Sequence, residues 1–279
     1  MPTIKHIENA LSFIEEACGF KINAVSIFVS QTRKRQLIIA EGDAVGLKKY
    51  IQKTGLIVIA HSTYVSPPWG AGISVDSDTS ATASTDCQLF VQSELKICQK
   101  SGIQGLVVHL PKLPIKNVIS QIDNIMSPDI YDTRLYLETP AVVPSETYYE
   151  TPEKLNALYA ELQKKDPEQK KFGICIDTAH LWTNGINVRT FESMNLWLSK
   201  LEIPRHVLMF HLNDSAREMG RGPDKHAPLM RGVIWSDITL IKTGLYAVVS
   251  FAKANNIPII LERDDDDDLI SDYNILSAF

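Results

Sequence analysis

Apolar and polar positions alternate along this chain in two different rhythms. Ile4, Ile7, Leu11, Ile14 and Cys18 recur at helical spacing and Gly19 follows as a stop signal, so the chain is expected to open with an amphipathic helix. Beyond it, short apolar runs at residues 24–29, 56–61, 105–109, 135–139, 172–178, 207–212 and 258–261 read as strands. Between them lie helical stretches such as residues 89–100, 152–164 and 191–201. Strand–helix alternation predicts an α/β fold with a parallel sheet, and one (β/α) barrel over residues 1–279 accommodates it. Seven strands are counted where a closed barrel has eight, because Met1 leads straight into a helix. The expectation is either an open barrel or a first strand lost upstream.

Two segments break the alternation. Residues 70–86, GAGISVDSDTSATASTD, are rich in Gly, Ser, Thr and Asp without periodicity and predict an inserted mobile loop. Residues 264–279 form an acidic C-terminal tail that begins with five consecutive aspartates, for which a solvated loop is the expectation.

Composition narrows the setting. The chain has 279 residues, 44% of them hydrophobic and 22% charged, which suits a globular protein with one large core. Cys18, Cys87, Cys98 and Cys175 show no C-x-x-C spacing and read as isolated reduced thiols, hence an intracellular protein. No apolar stretch approaches the roughly 20 residues of a membrane span, so no membrane partner is expected. The formal charge of −5 argues weakly against a nucleic-acid partner. Bound divalent ions would change that balance, since three of them would reverse its sign.

The chemistry lies at the ends of the apolar runs. His61 closes LIVIAH, His109 closes GLVVH, Glu138 ends RLYLE, and Asp177 and His180 fall in FGICIDTAH. His211 ends VLMFH, Asp224 and His226 lie in GPDKH, and Glu262 ends PIILE. Structural histidines have no reason to recur at one end of successive strands. Metal ligands in a (β/α) barrel do, because such sites lie at the strands' C-terminal mouth. Nine donors of imidazole and carboxylate type, without thiolates, suit zinc, with manganese or iron as alternatives. The two-residue spacing of Asp224 and His226 puts both side chains on one side of an extended segment, where they can chelate one ion. His6 and His206 have no such placement and are read as surface or packing residues.

These motifs resemble the endonuclease IV type of apurinic/apyrimidinic (AP) endonuclease, a trinuclear zinc enzyme on a (β/α)8 TIM barrel. The resemblance runs from Ile22 to Glu262 and is carried by GICIDTAHLWTNG, HLNDS, GPDKH and IILE; DTAHLW and ILER are nearest in tone to the viral members. It implies His61 and His109 on one zinc, Glu138 bridging to a second completed by Asp177, His211 and Glu262, and His180, Asp224 and His226 on a third. Manganese is allowed at one or more positions. Tyr64 fits the family's H-x-x-Y aromatic at the abasic gap, Arg33 fits an arginine entering the duplex beside it, and Trp69 is placed to stack on a base. The implied partner is double-stranded DNA containing abasic sites, met by a monomer in the host cytoplasm or nucleus, or packaged in a virion.

Phosphodiester hydrolysis needs an activated water, neutralised phosphoryl oxygens and a stabilised leaving oxygen, which clustered cations can divide among them. Glu138, Asp177 and Glu262 are then the catalytic carboxylates, as ligands that tune the reacting water. The resemblance implies incision 5′ to the abasic sugar, leaving a 3′-hydroxyl and a 5′-deoxyribose phosphate, with trimming of blocked 3′ ends. The nearest rival is a metal-dependent sugar isomerase or epimerase, which leaves His180, Asp224 and His226 unexplained. A non-catalytic DNA-binding protein leaves the whole ligand set unexplained.

Overall fold

The computed structural model describes residues 4–19, 21–69, 80–126, 132–141 and 149–279. Helix α1 (Ile4–Cys18) opens the chain as its spacing predicts, and Gly19 ends it at φ +73° with its N–H on the Glu15 carbonyl. The elements then alternate: β1 (Ala24–Phe28), α2 (Glu41–Thr54), β2 (Ile57–His61), α3 (Ser80–Ser101), β3 (Gly105–His109), α4 (Ile115–Ile125) and β4 (Arg134–Glu138). There follow α5 (Pro152–Lys165), β5 (Phe172–Asp177), α6 (Thr178–Thr183), α7 (Phe191–Ser199), β6 (Leu208–His211), β7 (Asp214–Ser215) and β8 (His226–Ala227). The last are α8 (Gly244–Asn255), β9 (Ile259–Ile260) and α9 (Asp266–Leu276).

Two compact units can be distinguished. The first comprises Met1–Ser12, Ile22–Leu137 and Leu162–Phe172. In it β1 and β2 are parallel, with Phe28 opposite His61, and β2 and β3 are parallel, with His61 opposite Val107. The Arg134 N–H on the Gln104 carbonyl continues the pattern to β4. Helices cover these strands with apolar faces at helical spacing, as with Ala44, Leu47 and Ile51 of α2 and Val118, Ile122 and Ile125 of α4.

The second unit comprises Phe13–Lys21, Glu138–Glu161 and Gly173–Phe279. In it β5 and β6 are parallel with Asp177 opposite His211, and β6 and β9 are parallel with His211 opposite Ile260. Every residue of β5 is buried, as expected of a parallel strand covered on both faces. Strands β7 and β8 form a separate antiparallel pair that turns residues 214–227 back on themselves.

Seven parallel strands are found among the described residues, each at a run that the sequence marks, beside the short antiparallel β7–β8 pair. Between β1 and α2 the chain makes a tight return instead of a strand: Gln31 N–H donates to the Gln36 carbonyl and Ile38 N–H to that of Val29. β1 therefore pairs directly with β2. Residues 1–3, where an upstream strand would have to enter, lie outside the described residues. No helix among the described residues is long and apolar enough to cross a membrane.

Two expectations need correction. The insert predicted over residues 70–86 ends earlier, because Ser80–Asp86 already belong to α3, whose Ser, Thr and Ala lack the apolar period that marks a helix in sequence. Residues 70–79 lie outside the described residues. The aspartate run is not a solvated loop either. Asp265 caps α9, accepting from the N–H groups of Asp267 (2.9 Å) and Asp268 (3.2 Å), and Asp266, Asp267 and Asp268 fill the first turn. Carboxylates there face the unpaired N–H groups and the positive end of the helix dipole, which offsets their mutual repulsion.

Candidate metal centre

In the first unit, β2 and β3 deliver His61 and His109 with ring centroids 5.1 Å apart, near perpendicular. His61 is buried and its Nδ1 lies 2.7 Å from the Ser62 carbonyl. A carbonyl accepts only, so Nδ1 carries the proton and Nε2 keeps the lone pair a metal needs. Tyr64 stands over the pair, its ring centroid 5.3 Å from that of His61 and 5.9 Å from that of His109, and is 54% exposed. Its N–H and the Thr63 hydroxyl both donate to the Thr32 carbonyl, which ties the Tyr64 segment to the turn presenting exposed Arg33. Trp69 departs from expectation. It is 4% exposed, and its indole Nε1 donates to the His109 carbonyl at 2.6 Å, so it props His109 instead of offering a face to a base.

The other seven predicted ligands all belong to the second unit, and there they converge. Donor atoms of Glu138, Asp177, His211 and Glu262 lie within 4.8 Å of one another, as do those of Asp177, His180 and His226. His211 Nδ1 is 2.8 Å from Glu138 Oε1 and 3.3 Å from Glu262 Oε2. His180 Nε2 is 3.5 Å, and His226 Nε2 2.9 Å, from the same oxygen of Asp224. His180 repeats the arrangement of His61: its Nδ1 faces the Thr139 carbonyl at 2.7 Å, leaving Nε2 as the ligand nitrogen. The register explains this convergence. Asp177 and His211 are opposite partners on β5 and β6, and Glu262 lies two residues past Ile260, the partner of His211 on β9. Asp177 is also the N-cap of α6, accepting from the His180 N–H at 2.9 Å, which fixes the D-T-A-H turn and both its ligands.

Charge in this unit is lopsided. Glu138 and Asp177 are fully buried carboxylates, costly without compensating positive charge. The imidazoles register that demand. Burial works to lower His180, but Asp177, the Asp224 hydrogen bond and Glu138 outweigh it and drive its pKa up to about 10. His211 is likewise raised well above its ordinary value against its burial, and Asp224, although burial works to raise it, is held below the usual carboxylate range by His180 and His226. A divalent cation meets the same demand using the imidazole lone pairs. One buried atom fits that reading: Asp224 Oδ1, the carboxylate oxygen turned away from His180 and His226, has no hydrogen-bond partner. Burial pushes the Cys175 thiol up to about 12, and its sulfur lies within 4.8 Å of donor atoms of Glu138 and His211.

The outer layer was not foreseen from sequence. Asn213 donates to Asp177 Oδ2 (2.6 Å) and Glu262 Oε2 (3.1 Å), joining two ligands. Its position two residues after His211, on the same side of an extended segment, was the available signal. In the first unit, Glu94 of α3 accepts from the hydroxyls of Ser30 and Ser62 and from the Thr63 N–H. Its signal was a carboxylate three residues after Val91, on the apolar face of a helix.

A model of the xylose isomerase-like TIM barrel family matches residues 15–241. A probable AP endonuclease of African swine fever virus (isolate Warthog/Namibia/Wart80/1980) is 36% identical over 264 residues, 92% of this chain and 84% of the relative. The crystal structure of AsfvAP:AG superposes with a TM-score of 0.85 at 34% identity, covering 98% of this chain and 90% of that one. Endonuclease IV from Thermus thermophilus superposes with a TM-score of 0.74 at 20% identity, over 97% and 95% of the two chains, a likeness of fold.

Proposed function

The chain belongs to the xylose isomerase-like TIM barrel family, and we propose that within it this protein is a zinc-dependent AP endonuclease of base excision repair. Its reaction is hydrolysis of the phosphodiester 5′ to an abasic site in double-stranded DNA, leaving a 3′-hydroxyl and a 5′-deoxyribose phosphate, with trimming of blocked 3′ ends. The observation that carries this reading is the second unit's convergence of seven residues with imidazole or carboxylate donors, with Asp224 Oδ1 buried and unsatisfied. The relatives' names supply the substrate class.

Asp177, His211, Glu262 and Glu138 are suited to one zinc, His180, Asp224 and His226 to another, and His61 and His109 to a third; manganese is compatible with the same donors. Bound zinc lowers the pKa of coordinated water toward neutrality and neutralises charge on phosphoryl oxygens. The chain's own contribution is orientation. The Ser62 and Thr139 carbonyls fix the tautomers of His61 and His180, and Asn213 holds Asp177 and Glu262 at a set separation. Exposed Arg33, Lys34 and Arg35 offer charge to the phosphate backbone, and exposed Tyr64 offers an aromatic face to the gap left by a missing base. An abasic nucleotide is the cheapest to rotate out of a duplex, because no base must be unpaired or unstacked, and this supports selectivity for the lesion.

The test is incision of a duplex carrying one tetrahydrofuran abasic analogue, which cannot undergo β-elimination, after chelation and after zinc is returned. Zinc-restored cleavage 5′ to the analogue is the expected result. Intact strands with zinc demonstrably bound would refute it and shift weight to the sugar isomerase reading.

A further inference from the structure

We infer that Arg263 and Asp272 are positioning residues for the metal centre, and that α9 with its aspartate cap exists to hold Asp272 in place. The inference rests on the zinc reading above. Arg263 follows Glu262 directly, and its side chain is 4% exposed while that of Asp272 is 0% exposed. Its Nε donates to Asp272 Oδ2 at 2.6 Å, and its Nη1 donates to Asn213 Oδ1 and to the Glu262 carbonyl, each at 2.6 Å. Asn213 passes this on, since the amide oxygen that accepts from Arg263 forces its Nδ2 toward Asp177 and Glu262. The second oxygen of Asp272 accepts from the Leu229 N–H at 2.8 Å, three residues past His226. One carboxylate in α9 thus fixes the fork of Arg263, the flip state of Asn213 and the backbone beyond His226.

The chemistry needs each part. The asparagine amide donates only from Nδ2 and accepts at Oδ1, so the two carboxylates claim its nitrogen while Arg263 claims its oxygen, and its orientation is held from both ends. The planar guanidinium serves two acceptors on one edge while its Nε engages a third, an arrangement a lysine cannot reproduce. Buried, the guanidinium needs a counter-charge, and Asp272 is its ion-pair partner. Asp272 in turn depends on α9, an 11-residue helix whose first turn is Asp266, Asp267 and Asp268 and whose cap is Asp265. The aspartate run, otherwise a liability beside a site that must receive DNA, is explained as the nucleus of that helix.

The experiment compares wild type with Asp272→Asn, Arg263→Met and Arg263→Lys by zinc content, the rate of zinc transfer to a chromogenic chelator, and melting temperature with and without zinc. Asp272→Asn and Arg263→Met should release zinc on the order of 10- to 100-fold faster, with Arg263→Lys restoring only part of the retention. Their melting temperatures should fall more with zinc than without it, because the lost contacts act through the ligands. Equal falls in both states with wild-type zinc release would show a purely structural ion pair and overturn this inference, leaving the metal reading intact. Wild-type protein that takes up no zinc would overturn the metal reading and this inference with it.

Discussion

Glu94 gives the sharpest test of how the first unit holds its histidines. It is fully buried in α3 and accepts three hydrogen bonds from elsewhere: the Ser30 hydroxyl at the end of β1, the Ser62 hydroxyl (2.5 Å) and the Thr63 N–H (3.2 Å) just past His61. Glu94→Ala strands all three donors in a buried site. At about 1–3 kcal/mol for each buried donor left unsatisfied, the loss should be at least about 3 kcal/mol. Glu94→Gln keeps the volume and one oxygen, and either serine can turn its lone pair to the new amide, so about 1 kcal/mol is expected. The pH dependence has a definite sign. Burial raises the Glu94 pKa against the lowering effect of its hydrogen bonds. The native state therefore binds a proton that the unfolded chain has released, and this stabilising contribution is full below the ordinary glutamate pKa and lost as pH rises through the raised one. Urea melts of wild type and Glu94→Gln across that window should show the wild-type advantage shrinking with rising pH. An advantage that grows with pH, or a Glu94→Ala protein within about 1 kcal/mol of wild type, would refute the reasoning.

Other substitutions probe separate features. Asp265→Ala removes the cap of α9 and should cost about 1 kcal/mol in urea melts, whereas a loss near zero would mean that the aspartate run is a solvated charge run after all. Gly105→Ala places a Cβ 2.5 Å from Tyr136 Cε2 and 3.2 Å from Ile59 Cδ1, an overpacking worth about 1–3 kcal/mol by the same assay. Arg33→Ala should weaken binding to damaged and undamaged duplex alike and reduce the slope of log K against log salt by about 1, as measured by fluorescence anisotropy. Tyr64→Ala, at a 54% exposed side chain, should leave stability within about 0.5 kcal/mol while lowering the preference for abasic over intact duplex.

The seven parallel strands were legible because parallel strands are buried on both faces and so read as short continuous apolar runs. Their ends were legible because His61, His109, Glu138, Asp177, His211 and Glu262 interrupt or close those runs with residues that have no other reason to stand there. Register then did the rest, since Asp177 and His211, chosen as candidates from separate motifs, face each other across β5 and β6. Helix boundaries were harder. The start of α3 carries Ser, Thr and Ala in place of an apolar period, so it leaves no mark that periodicity can detect. Trp69 was misread for a related reason: an aromatic in a polar loop looks presented, and only the His109 carbonyl within reach of its indole shows that it is packed.

The residues that support ligands escaped sequence reading because their partners are distant in the chain. Glu94 reaches Ser30, 64 positions away, and Asn213 reaches Glu262, 49 away. A ligand is recognisable from its own chemistry, whereas a residue that orients a ligand is recognisable only from what it touches. The aspartate run shows the limit most plainly. Five like charges in sequence favour a solvated segment, and that preference is overturned by a geometric fact, the row of unpaired N–H groups at the start of α9. Once the run is seen as a cap, its effect travels through covalent and hydrogen-bonded neighbours alone: Asp265 sets the helix, the helix sets Asp272, and Asp272 sets Arg263 beside Glu262. Parts of a chain that look expendable by composition are thereby joined to the ligands by a short sequence of contacts, each of which can be broken separately.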